Sequence, residues 1–231
     1  MNEWEARVAA GLAAVRARIE TASRACGRDP AGVALVAVSK THPAGAIRAA
    51  YALGVRDFGE NYVQELAEKH ERLRDLEGLR WHLIGHLQTN KARVVAGVAH
   101  AVHTVDSVKL ARELGRRASA AGRGLGAFVQ VNVSGEASKS GCSPDEASAV
   151  VAAVRDDSGL VLRGLMPIPP ASDAAEDAAP VFDALAALRE KLGGAALLPD
   201  LSMGMTHDLE VAIAHGATVV RVGSAIFGTR A

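Results

Sequence analysis

VALVAVSK, residues 33–40, is the stretch on which the fold turns. Six apolar residues run without a break and end on Ser39 and Lys40, with Gly27 and the pair Asp29-Pro30 just upstream. A short apolar run bounded by turn residues reads as a strand buried on both faces, the kind found in parallel sheets. Upstream, Trp4, Val8, Leu12, Val15, Ile19, Ala22 and Cys26 recur in steps of three and four, which predicts an amphipathic helix ahead of the sheet.

Downstream the pattern repeats. Helical stretches are expected at 43–53, 61–76, 107–121, 144–155 and 179–192, the last stopped by Gly193-Gly194. Ser107 is placed to cap the third, and Asp145 and Glu146 sit in the first turn of the fourth, where the helix dipole favours acids. Strands are expected at 56–59, 81–84, 101–105, 127–133, 160–165, 197–202 and 218–222. Polar loops fall at 134–143 and, with three prolines, at 166–177, the latter reading as mobile. Eight strands, nearly all followed by helical sequence, predict a single (β/α)8 TIM-like barrel over residues 1–231 with an extra N-terminal helix. A doubly wound open sheet is the alternative, because strand count alone does not establish closure.

Composition narrows the partners. The chain has 26 basic and 26 acidic residues, so no global charge favours nucleic acid or an anionic membrane. Aromatic residues make up only 3% of it, which leaves the core to Ala, Val, Leu and Ile. Cys26 and Cys142 lack any ligand spacing and read as free thiols of a reducing compartment. The acidic opening MNEWEARVAAGL does not resemble a signal peptide, and no apolar run reaches the roughly 18 residues of a membrane span. The expectation is a soluble cytoplasmic protein.

In such barrels chemistry sits just beyond the C-terminal ends of the strands. There the sequence offers Lys40, Gly59-Glu60-Asn61, His82, Asn132, Met166-Pro167, Ser202-Met203-Gly204, and Arg221 with Gly223-Ser224. Lys40 is either a solvated strand-end lysine or, in a partly desolvated mouth, an amine able to form a Schiff base. The segment VVRVGSAIFG, residues 219–228, has the form of a phosphate cradle: strand, glycine, then a hydroxyl residue opening a short helix. It also fits an ordinary strand-to-helix turn. Ser202, after the neighbouring seventh strand, favours the phosphate reading, and a lysine plus a phosphate site suggests pyridoxal 5'-phosphate (PLP). Arg221 shares the inward parity of Gly223 and can face the pyridine nitrogen of PLP, or form a salt bridge inside the barrel. His82 fits a core histidine as well as a site residue, and Asn61 fits a helix cap as well. His82 and His86 straddle a strand end, so no metal site is expected, and no GxSxG, Walker or GxGxxG motif occurs.

With these residues in place the chain resembles the pyridoxal-phosphate homeostasis protein family, single-domain relatives of the alanine racemase N-terminal barrel. The likeness runs through VAVSKTHP (36–43), FGENYVQE (58–65), WHLIGHLQTNK (81–91), VNVSGEASKSG (131–141), GLMPIPP (164–170), LSMGMTHDLEVAI (201–213) and VRVGSAIFG (220–228). It implies PLP on Lys40, phosphate contacts from Ser202, Gly223 and Ser224, Arg221 near the pyridine nitrogen, and Asn61 and His82 lining the pocket. Ser224 stands where threonine is common, and Pro167 where alanine is frequent. Alanine racemases draw a second acid/base, a tyrosine, from a C-terminal domain; Tyr51 and Tyr62 lie in early helical stretches and match no such role. The expectation is therefore a non-catalytic PLP carrier, a monomer or weak dimer, with PLP-dependent apoenzymes as recipients. A PLP-dependent amino-acid racemase and a class I aldolase are the alternatives.

Overall fold

The computed structural model describes residues 3–136, 139–169, 172 and 174–228. Eight strands, β1 (Ala34–Val38), β2 (Asp57–Glu60), β3 (Arg80–Leu83), β4 (Ala101–Val105), β5 (Leu125–Val131), β6 (Leu160–Pro167), β7 (Asp200–Leu201) and β8 (Val219–Val222), form one parallel sheet in the order β7-β6-β5-β4-β3-β2-β1-β8. The sheet closes on itself: Ser202 bridges Val219, and Thr218 N donates to Leu201 O and Met203 N to Val219 O, each at 3.0 Å. The open-sheet alternative is thereby excluded.

Around it lie α1 (Glu3–Ala25), α2 (Ala44–Ala52), α3 (Val63–Arg72), α4 (Ala92–Val98), α5 (Val108–Ala120), α6 (Pro144–Arg155), α7 (Ala179–Lys191), α8 (Gly194–Leu197), α9 (Leu209–Ala214) and α10 (Ser224–Phe227). Ser107 caps α5 by accepting from Leu110 N, and Ser143 with Glu146 forms a capping box on α6. α5 and α6 bury apolar faces against the sheet. α1 inserts Val8, Leu12, Val15 and Ile19, each contributing about 1.5–3 kcal/mol on burial. It packs on α2, α9 and α10. Gly11 permits that approach: a Cβ there would lie 2.4 Å from Ala225 O and 2.8 Å from Ile226 O. Among the described residues no helix is long and apolar enough to cross a membrane.

Several boundaries differ from the sequence expectation. The helix expected from 61 starts at Val63 with Tyr62 at its cap position, so Asn61 caps nothing and lies on the link from β2. The loop expected over 166–177 begins later, because Met166 and Pro167 pair with Gln130 and Val131 as the end of β6. Residues 170, 171 and 173 of that stretch fall outside the described residues, and Ala175–Ala178 form a 3-10 turn. The strand expected over 197–202 shrinks to Asp200–Leu201, since Gly193 and Gly194, both at positive φ, start a further helical turn instead.

Candidate functional site

The barrel interior is built from inward residues of alternate positions. One part is apolar, with Val36, Ala101, Phe128, Met166 and Val219 packed together. Beside it runs a polar line of His82, His103, Ser202 and Arg221, all buried. Above these, at the C-terminal mouth, a cavity of about 480 Å3 is walled by Lys40, Arg221, Gly223 and Ser224, with His42, Thr206 and His207. A larger hollow of about 590 Å3 opens at the opposite mouth beside Arg16, Arg56, Asp57 and Arg80. Barrel chemistry belongs to the C-terminal face, and Lys40 lies there.

The backbone around Lys40 is fixed on both sides. Ser39 N donates to Gly59 O at 3.0 Å, which extends the β1–β2 pairing by one residue. The Ser39 hydroxyl donates to Glu60 Oε1 at 2.6 Å, and Lys69 Nζ donates to Ser39 O at 2.6 Å and Glu60 Oε1 at 2.7 Å. Thr41 follows at φ 67, the only described residue other than glycine at positive φ, and its N–H donates to Glu65 Oε1 at 2.6 Å. Such a conformation costs of order 1–3 kcal/mol and persists where surrounding contacts over-determine it. Here it turns the chain sharply after Lys40, leaving that half-buried side chain on the cavity wall.

Across the cavity, β8 passes through Gly223 into α10. A Cβ on Gly223 would sit 3.0 Å from Val38 O, so glycine lets this turn approach β1. Ser224 opens α10, and its hydroxyl donates to Thr206 Oγ1 at 3.1 Å. The Ser224 and Thr206 hydroxyls thus meet at the start of a helical turn, where Ala225 N also reaches Thr206 Oγ1 at 3.5 Å, a polar set suited to a phosphate.

Arg221 lies beneath, with Nη1 donating to Ser202 O at 2.5 Å and Ser202 Oγ at 2.8 Å. Burial lowers its guanidinium to about 10, with Asp208 opposing, so it stays a cation at neutral pH. Its inward parity agrees with the sequence reading. Ser202 and the pocket pair are placed otherwise. Ser202, expected at the phosphate, is fully buried below the cavity wall with Oγ held between Arg221 and His103. His82 lies deeper, between His103 and Asp57, and Asn61 sits on the link beside Gly85; neither lines this cavity. Asn132 binds its own loop through Glu136 O and Lys139 O.

The sequence reading missed Thr206, His42, His207 and His103. Thr206 follows Ser202-Met203-Gly204 closely enough to belong to the same loop, while His103 is masked inside the apolar run AVHTV. Among the described residues, no group of three or more His, Cys, Asp and Glu is arranged to hold a metal ion.

The chain's likeness to known proteins agrees with this geometry. The family model described as alanine racemase, N-terminal domain, matches residues 11–231. The pyridoxal phosphate homeostasis protein of Pseudomonas aeruginosa is 51% identical over 226 residues, covering 96% of each chain. A solved structure titled an unknown protein from Bifidobacterium adolescentis is 36% identical, with a TM-score of 0.88 over 98% of this chain and 97% of that one. PipY of Synechococcus elongatus PCC7942 with PLP bound is 39% identical, with a TM-score of 0.77 over 91% of this chain and 100% of that one.

Proposed function

The chain belongs to the pyridoxal phosphate homeostasis protein family, and from that premise we propose that it holds PLP at Lys40 and stores or delivers it rather than catalysing a reaction. The observation that carries this reading is the convergence on one cavity of an amine, a buried guanidinium and a hydroxyl-lined helix start. When bound, PLP supplies an aldehyde whose carbon forms a C=N bond to an amine with loss of water, plus a phosphate and a ring nitrogen to be held.

Each element of that donor set has a task. Lys40 Nζ is the nucleophile, poised by the turn at Thr41. Gly223, Ser224 and Thr206 take the phosphate. Arg221 faces the ring nitrogen as a permanent donor and keeps it unprotonated, which weakens the ring as an electron sink and disfavours rapid carbanion chemistry. In this scheme Ser202 serves the ring nitrogen rather than the phosphate, through its hold on Arg221. PLP-dependent apoenzymes are the recipients, reached by a monomer or weak dimer in the cytoplasm, without nucleic acid or membrane.

A second reading, a PLP-dependent amino-acid racemase, is favoured by one feature: His42 and His207 stand on the same wall as Lys40, and either supplies a second acid/base. Two measurements on the PLP-loaded protein separate the readings. Mixed with a PLP-dependent apoenzyme and a scavenger of free PLP, it should restore activity faster than the same amount of free PLP. Incubated with common amino acids in deuterated water, it should exchange no α-hydrogen. Exchange that is lost in Lys40→Ala, without transfer, overturns the carrier in favour of the racemase.

A further inference from the structure

Arg221 is the first member of a line that crosses the barrel. Its Nη1 meets Ser202 Oγ at 2.8 Å, Ser202 Oγ meets His103 Nδ1 at 2.8 Å, His103 Nε2 meets His82 Nδ1 at 2.9 Å, and His82 Nε2 meets Asp57 Oδ1 at 2.9 Å. Asp57 is the first residue of β2 and also pairs with Arg80, the first residue of β3, so the line ends at the mouth opposite Lys40.

Donor count gives the line a direction. Arg221 can only donate. Asp57 can only accept, because hydrogen bonds from Arg80 and His82 outweigh the upward push of burial and hold its carboxyl well below the usual range. Ser202 Oγ therefore accepts from Arg221 and gives its own proton to His103 Nδ1. His103 Nε2–H then donates to His82 Nδ1, and His82 Nε2–H to Asp57. Every polar atom is satisfied with no imidazolium in the line. Reversal would put an extra proton on His82 and leave the buried Ser202 hydroxyl without an acceptor, a cost of about 1–3 kcal/mol. His103 is fully buried, stacks on Phe128 at 4.2 Å between centroids, and burial pushes its imidazole well below its usual value. Among the described residues, the other charged or titratable groups facing the line are Arg80, His100, Arg163 and Asp208.

We propose that Asp57, His82 and His103 are positioning residues that act with Ser202 to hold the Arg221 guanidinium against the ring nitrogen of PLP. The inference rests on the reading that Arg221 faces that nitrogen. Ser202 offers its carbonyl and hydroxyl to Nη1, so its orientation sets that of the guanidinium. His103 fixes Ser202 in turn, His82 fixes His103, and the carboxylate polarises the whole line toward itself.

The test uses the full chain loaded with PLP labelled with 15N in the ring, and reads the ring-nitrogen shift against pH. In the wild type the nitrogen should stay unprotonated from about pH 6 to 9. In His103→Leu and in Asp57→Ala it should take up a proton at a pH at least about one unit higher than in the wild type, a tenfold change, and move in the same direction as in Arg221→Gln. His103→Gln, whose amide keeps one donor and one acceptor, should restore most of the wild-type profile. If Arg221→Gln moves the profile while His103→Leu leaves it at the wild-type position, the line is overturned and the placement of Arg221 stands. If Arg221→Gln itself moves nothing, that placement fails and the inference with it. Should His103→Leu not fold, Asp57→Ala decides by the same criterion.

Discussion

Lys69 Nζ lies 2.7 Å from Glu60 Oε1 and 2.6 Å from the carbonyl oxygen of Ser39, so one buried ammonium ties β2 to the end of β1 immediately before Lys40. Glu65 joins from the next turn of α3 at 2.7 Å and also accepts the Thr41 N–H. The two residues flanking Lys40 are thus held by one ionic cluster. Its weak point is Glu60, which is fully buried and whose Oε2 has no hydrogen-bond partner among the described residues.

Removing the ammonium strands that carboxylate. Lys69→Met should cost about 3–5 kcal/mol near pH 8, measured by urea unfolding. Burial pushes the Glu60 carboxyl up to about 7, against the opposing pull of Lys69 and Ser39. A carboxyl whose folded value lies above its unfolded value weakens the fold as it ionises, so its contribution declines as pH rises from about 4.5 through 7. The deficit of Lys69→Met should therefore shrink toward pH 5.5, where the carboxyl is protonated. A deficit independent of pH would mean that Glu60 does not titrate in this way.

Thr41 stores strain that glycine does not feel. Thr41→Gly should hold or raise stability, by about 1 kcal/mol at most in urea unfolding, while lowering the affinity for PLP because the turn after Lys40 loosens. A large loss of stability would contradict the assigned conformation.

Gly11 holds α1 against α10, and with it the proposed phosphate site. Gly11→Ala should destabilise the fold by about 1–3 kcal/mol, since backbone oxygens rather than flexible side chains must give way. PLP affinity should fall with it. Gly97→Ala is the matched control: a Cβ there meets nothing within 4 Å on α4, and the exchange should stabilise by about 0.4–1 kcal/mol.

The two thiols should behave differently. Cys26 is exposed, whereas burial raises the Cys142 thiol to about 12, with Glu146 adding to the effect. An aromatic disulfide reagent should titrate one thiol quickly in the native protein and the second only on unfolding, and Cys26→Ser should abolish the fast phase.

The alternation of apolar runs and helical stretches made the barrel legible, because a buried parallel strand leaves an uninterrupted apolar signature such as that of residues 33–38. Lys40, Gly223 and Ser224 were legible because they follow such runs, and Arg221 because it shares the inward parity of Gly223; the fold brings all four to one cavity. Depth was not legible. Ser202, just past β7, and His82, in β3, face inward, but how far below the mouth they sit depends on strand stagger, which parity does not encode. His103 shares the parity of Ala101 in an apolar strand, and a histidine at such a position needs buried partners; those partners come from β3 and the end of β7, distant in sequence.

The central claim is that Lys40 carries PLP. Protein loaded with PLP, reduced with borohydride and digested should yield one modified peptide bearing the reduced cofactor on Lys40, and Lys40→Ala should yield none while losing the visible absorbance of the bound cofactor. A modified peptide that maps to any other lysine, or absorbance that survives in Lys40→Ala, would contradict it.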